Sequence, residues 1–195
     1  ELIGGGAKGQ NRVYYRMRPG HRPFTFLRDS PVRGLYALNG RLFYVAGGNF
    51  FEVLSNGGSR QFGFVVNSPA PATMASNGDG GFQLFIVSGG SGYIFNLTNN
   101  AFDQIDPGLS AFPDIAVMGA FCDVYFLALK AHSGQFFISE LENGLTSGWA
   151  ALDVAQVSES SNRISSMLVD HRRVYLFGQL TTERWYNSGY ANFPF

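Results

Sequence analysis

Short apolar runs recur along this chain in a fixed order, and that recurrence limits the fold more than any other feature. One kind of run appears at Leu42–Val45, Phe82–Val87, Val124–Leu129 and Val174–Phe177. A second follows each after a short, mostly Gly-containing turn, at Phe50–Leu54, Tyr93–Leu97, Gln135–Leu141 and Thr182–Asn187. A third precedes each, at Gly34–Leu38, Ala72–Ser76, Ile115–Phe121 and Ile164–Val169. A fourth closes the first three units, at Gln61–Val66, Ala101–Ile105 and Ala150–Ala155. The runs are rich in Phe, Tyr, Val, Leu and Ile and are bounded by Asn-Gly, Gly-Gly and Ser-Gly, which predicts strands. Helical periodicity is nearly absent.

The spacing sharpens the expectation. Leu54 to Leu97 is 43 positions, Leu97 to Leu141 is 44 and Val124 to Val174 is 50. Four strands per repeat of about 40–50 residues is the signature of a β-propeller blade. A lone four-stranded antiparallel sheet of this composition leaves both faces apolar, and stacking blades face to face buries them. Where blades converge on the axis the innermost strand must be slim, which suits Ala116, Gly119 and Ala120. The predicted fold class is therefore all-β, a β-propeller with four-stranded antiparallel blades, about three and a half of them in this chain. A β-sandwich with coincidental spacing is the alternative. The incomplete fourth unit predicts two exposed apolar blade faces, and with them a longer chain or completion by another segment.

Composition excludes several classes. The chain has 195 residues, 45% hydrophobic and 14% charged, with 25 Gly and 19 Phe. That is too apolar for disorder, and no run reaches the roughly 18 uninterrupted apolar residues of a membrane helix. The single cysteine, Cys122, has no partner for an internal disulfide. The start, Glu-Leu-Ile-Gly-Gly-Gly, resembles no signal peptide, and the absence of an initiator Met suggests a truncated or processed chain.

Fourteen basic and 14 acidic residues cancel, but unevenly. Residues 1–34 carry Lys8, Arg12, Arg16, Arg18, Arg22, Arg28 and Arg33 against Glu1 and Asp29, so 7 − 2 = +5. The remainder is 7 − 12 = −5. Two domains are expected: a basic leader over 1–33 and the propeller over 34–195. Arg12, Arg16, Arg18 and Arg22 are candidate contacts to DNA phosphates or to an acidic partner. A solvated leader paired with the acidic remainder is the plainer reading.

Chemistry-bearing motifs are sparse, and no cofactor, metal or catalytic residue is predicted. His21, His132 and His171 sit in different units without metal-ligand spacing. Gly4–Gly6 reads as flexible leader and Gly47-Gly48 as a hairpin turn, not phosphate cradles. Asp103, Asp106 and Asp114 read as turn-capping carboxylates before a calcium site. Asn96-Leu97-Thr98 is a glycosylation sequon by letter only. Ser139 to Thr146, followed by Trp149, resembles the Asp-box turn of sialidase propellers, where the motif is structural. Sialidase chemistry would also need an arginine cluster and a Tyr–Glu pair, for which Tyr186 and Glu183 are the only, weak, candidates.

One stretch resembles a known family. Thr181-Thr182-Glu183-Arg184-Trp185-Tyr186-Asn187-Ser188-Gly189, then Phe193-Pro194-Phe195, is similar to the "G-E-x-T-x-E-x-W-Y-N-x-G … F-P-F" stretch of packaged DNA stabilisation proteins. These are the tail accessory, or hub, proteins of short-tailed bacteriophages (podovirus type). Gly34–Val45, Gly92–Asn96, Phe102–Asp106, Ser139–Leu141, Trp149, Ala151–Ala155 and Asp170–Arg172 continue the resemblance in order. The chain departs from the family at Gly178-Gln179, where Gly-Glu is usual, and at Ser160-Ser161-Asn162, where Ser-Pro-Asp is usual. Glu183, Trp185, Tyr186, Asn187, Gly189, Phe193, Pro194 and Phe195 are the structural motif residues this resemblance marks.

The resemblance implies a virion protein of the phage tail, assembled in the host cytoplasm, and not an enzyme. It implies a homo-hexameric ring beneath the portal and its adaptor, extending the DNA channel, helping retain the packaged genome without sequence specificity, and carrying the tail needle or plug and the tailspikes. It also implies chains longer than this one. From another class, a lectin-like carbohydrate-binding propeller would show aromatic residues at equivalent loop positions in every unit. Trp149 and Trp185 are not equivalent, and the other units have no Trp.

Overall fold

The computed structural model describes residues 2–5, 12–15, 20, 22–25, 31–157, 163–191 and 193–195, with backbone alone for 2–5, 12–15 and 79. Four antiparallel sheets follow one another along the chain. The first holds β3 (Val32–Leu38), β4 (Arg41–Ala46), β5 (Asn49–Val53) and β6 (Ser59–Phe64). The second holds β7 (Thr73–Ser76), β8 (Gln83–Ser88), β9 (Ser91–Asn96) and β10 (Phe102–Gln104). The third holds β11 (Ala116–Cys122), β12 (Tyr125–Lys130), β13 (Gln135–Ile138) and β14 (Val154–Gln156). The fourth holds β15 (Ile164–Asp170), β16 (Arg173–Gly178) and β17 (Thr182–Tyr186). Within each sheet the strands pair in chain order, as in propeller blades. Each predicted run overlaps one of these strands, although Ala150–Ala155 meets β14 only at Val154 and Ala155, and Gln135–Leu141 runs past the end of β13 at Ile138.

The period-2 alternation of the second strands explains the stacking. In β8, Leu84 and Ile86 join Phe43, Val45, Phe50 and Phe95 between the first and second blades. The alternate residues Phe85 and Val87 join Phe126, Ala128 and Trp149 between the second and third. In β12, Phe126 and Ala128 face backward while Leu127 and Leu129 join Phe136, Val174 and Leu176 between the third and fourth. A strand buried on both faces reads as a continuous apolar run, and these do.

The innermost strands lie side by side, β3 against β7, β7 against β11 and β11 against β15. At Gly119 on β11 an added Cβ would lie 2.5 Å from the Phe85 ring and 2.8 Å from Val87. Three innermost strands carry a bulge near their start, at Arg33, Val117 and Ser165. The hairpin turns closing the inner strands at Asp123-Val124 and His171-Arg172 hold positive φ at all four residues. That is the primed-turn geometry matching strand twist. In the second blade a four-residue helix, α1 (Gly78–Gly81), takes the place of this turn.

The outward face of the first blade is only partly open: Leu35 is 62% exposed and Phe64 76%, whereas Tyr44, stacked on Phe51, and Ala46 are each 3% exposed. On the fourth, Leu168 and Tyr186 are exposed.

The leader differs from expectation in two respects. Gly4 and Gly5, read as flexible, lie in β1 (Leu2–Gly5), which pairs with β2 (Arg12–Tyr15). Arg33, counted with the leader, lies inside β3. Its guanidinium donates to the carbonyls of Gly47 (2.6 and 3.0 Å), Val66 (3.1 Å) and Ala70 (3.1 Å) and to Ser88 Oγ (2.7 Å). Burial lowers its pKa from the ordinary value. It is a clamp joining the first two blades.

Candidate interaction surface at the fourth blade

The motif residues Glu183 to Phe195 gather around β17. Alternation along the strand sends Glu183 and Trp185 toward the third blade and leaves Thr182, Arg184 and Tyr186 exposed on the other side. Trp185 Nε1–H donates to Glu183 Oε2 at 2.9 Å, and the indole stands edge-on to the buried Phe136 at 5.2 Å. Phe193 packs against Phe136 at 5.9 Å and Phe195 against Tyr125 at 5.8 Å. The backbone doubles back to bring them there. Asn187 Oδ1 accepts Gly189 N–H at 2.8 Å, Gly189 sits at φ +73°, and Ser188 N–H and Oγ–H both donate to Pro194 O at 2.6 and 3.0 Å. Pro194 is buried. The stretch is thus an aromatic latch fixing the fourth blade to the third, and sequence reading did not reveal that Phe193 and Phe195 point backward.

Glu183 and Tyr186, the only Tyr–Glu pair considered for catalysis, lie on opposite sides of β17. The Asp-box-like turn is built from side-chain ties. Ser139 Oγ accepts Phe126 N–H at 3.0 Å and donates to Glu140 O at 2.6 Å. Trp149 Nε1–H donates to Gly144 O at 3.0 Å, with its ring against Phe112 and Phe85. Asp106 caps its own turn through Gly108 N–H at 2.8 Å, and Asp114 pairs with Lys130 at 3.0 Å. Asn96 Oδ1 accepts Thr98 N–H at 2.9 Å within a turn. Cys122 is buried, and burial together with the Asp123 carboxylate pushes its thiol up to about 11. His171 is exposed beside Asp170, which raises its pKa, and Arg172 pairs with Asp123 of the neighbouring turn at 2.5 Å.

Of the candidate leader contacts, Arg16 and Arg18 lie outside the described residues and Arg12 is described by its backbone alone, paired with Gly5. Arg22 is exposed.

A family model described as bacteriophage P22 Gp10, beta-propeller, matches residues 6–195. The chain belongs to this phage stabilisation family. It is a bacteriophage structural β-propeller, and the family places it with virion proteins. Comparison with curated proteins finds no match.

Solved structures agree on the fold. The extracellular domain of BT4673 from B. thetaiotaomicron aligns with TM-score 0.58 at 11% identity, over 86% of this chain and 23% of that one. YCF48 bound to D1 peptide aligns with TM-score 0.56 at 12% identity, over 80% and 53%. Virginiamycin B lyase from Staphylococcus aureus aligns with TM-score 0.55 at 9% identity, over 83% and 58%. At such identities the likeness concerns fold alone, and the chain spans between about a quarter and somewhat over half of these proteins. No helix among the described residues is long and apolar enough to cross a membrane.

Proposed function

We propose that this member of the phage stabilisation family is a tail hub and head-completion factor, a rigid wall that extends the portal channel and helps retain packaged DNA. The family match along residues 6–195 carries this reading. Two physical features support it. The second and third blades, buried on both faces, resist deformation, because close-packed junctions of Phe, Leu and Ile transmit strain and do not absorb it. A conduit that must later release DNA should attract phosphate only weakly, since each neutralised phosphate tightens binding. With Arg33 counted in the propeller, residues 32–195 carry 8 − 12 = −4 and residues 1–31 carry 6 − 2 = +4. In this reading the basic leader contacts the adaptor above, the propeller supplies wall and inter-subunit surface, and six copies form the ring that carries needle and tailspikes.

Negative-stain electron microscopy of the protein, alone and mixed with portal–adaptor complexes, tests the proposal. Sixfold rings capping the portal are expected. Monomers that ignore the portal would leave the fold standing and remove the hub role.

A further inference from the structure

Arg33 fills a cleft between the first two blades, and the matching cleft between the third and fourth is open. Register fixes the correspondence. Arg33 is the bulged residue of β3, between the pairs Val32–Ala46 and Gly34–Val45, and Val117 is the bulged residue of β11, between Ala116–Lys130 and Met118–Leu129. Gly47 N–H donates to Pro31 O at 3.3 Å and Ala131 N–H to Ile115 O at 2.9 Å, so Ala131 stands where Gly47 does. From its bulge the Arg33 guanidinium reaches Gly47 O, Ala70 O and Ser88 Oγ. Val117 has no polar group to send across. A cleft of about 280 Å³ remains there, with Val117 and Ala131 in its wall.

The polar lining of this cleft is the reverse of the carbonyls around Arg33. It consists of Arg163 just before β15, His132 on the turn between β12 and β13, and Gln179 on the turn between β16 and β17. Arg163 makes no ion pair among the described residues, and none of the lining residues is acidic. Asp114, on the same end of the third blade, is already paired with Lys130 at 3.0 Å. Ser165 also lines the cleft, but its hydroxyl donates to Phe177 O at 2.9 Å.

Guanidinium, imidazole and carboxamide each offer N–H donors, here from three separate segments. A guanidinium fork matches phosphate geometry, and bonds to an ionised acceptor are the strong ones. At about 280 Å³ the cleft is smaller than the roughly 300–1,000 Å³ of pockets for drug-sized ligands, which suits a small ion. We infer that the cleft binds a phosphate-type oxyanion, either inorganic phosphate or one phosphodiester of a nucleic-acid backbone. This site stands independently of the hub role.

The test titrates inorganic phosphate into the whole 195-residue chain at constant ionic strength, with chloride and acetate as comparison anions. Backbone amide shifts are read by NMR at His132, Arg163 and Gln179. Phosphate should move all three saturably, with a Kd on the order of 1 mM, at least about tenfold tighter than acetate. Arg163→Gln should weaken phosphate by at least about tenfold. Val117→Glu, at a half-exposed position, places a carboxylate of the chain beside Arg163 and should exclude phosphate likewise. Arg184→Gln on the fourth blade should change nothing. A thymidine oligonucleotide that moves the same amides at lower phosphate concentration assigns the occupant to nucleic acid, and one without effect assigns it to free phosphate. Equal shifts with acetate or chloride, shifts confined to other residues, or unchanged binding in Arg163→Gln would overturn the site. The anion comparison on the unsubstituted chain decides even if a variant fails to fold.

Discussion

Trp185 meets Phe136 edge-on across the junction of the third and fourth blades, 5.2 Å between ring centroids at 80°. Phe136 is fully buried and also carries Phe193, so a single ring anchors both the last strand and the chain that doubles back from it. Phe136→Ala should cost about 3–5 kcal/mol by cavity formation. Trp185→Phe, which keeps a ring but loses the bond to Glu183, should cost about 1 kcal/mol. Urea denaturation followed by far-UV circular dichroism measures both, and equal costs would refute the anchoring role of Phe136.

Gly119 should tolerate no side chain. Gly119→Ala forces a methyl toward Phe85 and Val87, an overpacking that costs about 1–3 kcal/mol. Gly80→Ala, with nothing within 4 Å of the added atom, is the control and should change thermal stability little. A harmless Gly119→Ala would mean the inner strands are not tightly apposed.

Arg33 joins two blades through carbonyls, not through a carboxylate. Arg33→Lys cannot reproduce the planar fork, and Arg33→Ala strands several carbonyls. The alanine change should cost about 2–3 kcal/mol and the lysine change less. Because no acidic partner is involved, the loss measured by denaturation should hardly vary with salt between low and high ionic strength.

Cys122 should make the fold sensitive to alkali. Its folded pKa, about 11, lies above the unfolded value of 9.0, so folding favours the protonated thiol. The corresponding stability is complete below pH 9 and fades as pH rises toward 11, by an amount on the order of 2 kcal/mol. Cys122→Ala should flatten that part of the stability–pH curve. At pH 8 the native thiol should react with a disulfide reagent far more slowly than the urea-unfolded one.

Strand positions were legible because double-sided burial forces unbroken apolar runs such as Leu84–Val87 and Phe126–Leu129, which no exposed element can imitate. The family was legible from the Glu183–Phe195 stretch, but its spatial role was not. Nothing in the local pattern of Phe193-Pro194-Phe195 says which earlier strand it meets, since Tyr125 and Phe136 lie far back in the chain. Arg33 escaped for a similar reason, its partners being three carbonyls, at Gly47, Val66 and Ala70, and the hydroxyl of Ser88, all well beyond it in the chain. The turns at Asp123-Val124 and His171-Arg172 lack the Asn-Gly signature of primed turns. Their ion pair, Arg172 with Asp123, ties one turn to the next, and its members stand 49 residues apart.

The apolar clusters at the three blade junctions make the molecule a short one-dimensional stack, each unit answering only to its neighbours. Among the described residues the second and third blades pack against two neighbours each, the first and fourth against one. Melting should therefore fray inward from the two ends, with β8 and β12 the last strands to exchange their amides. A load applied to one blade would likewise pass along the row of rings, handed on at each junction to the next blade.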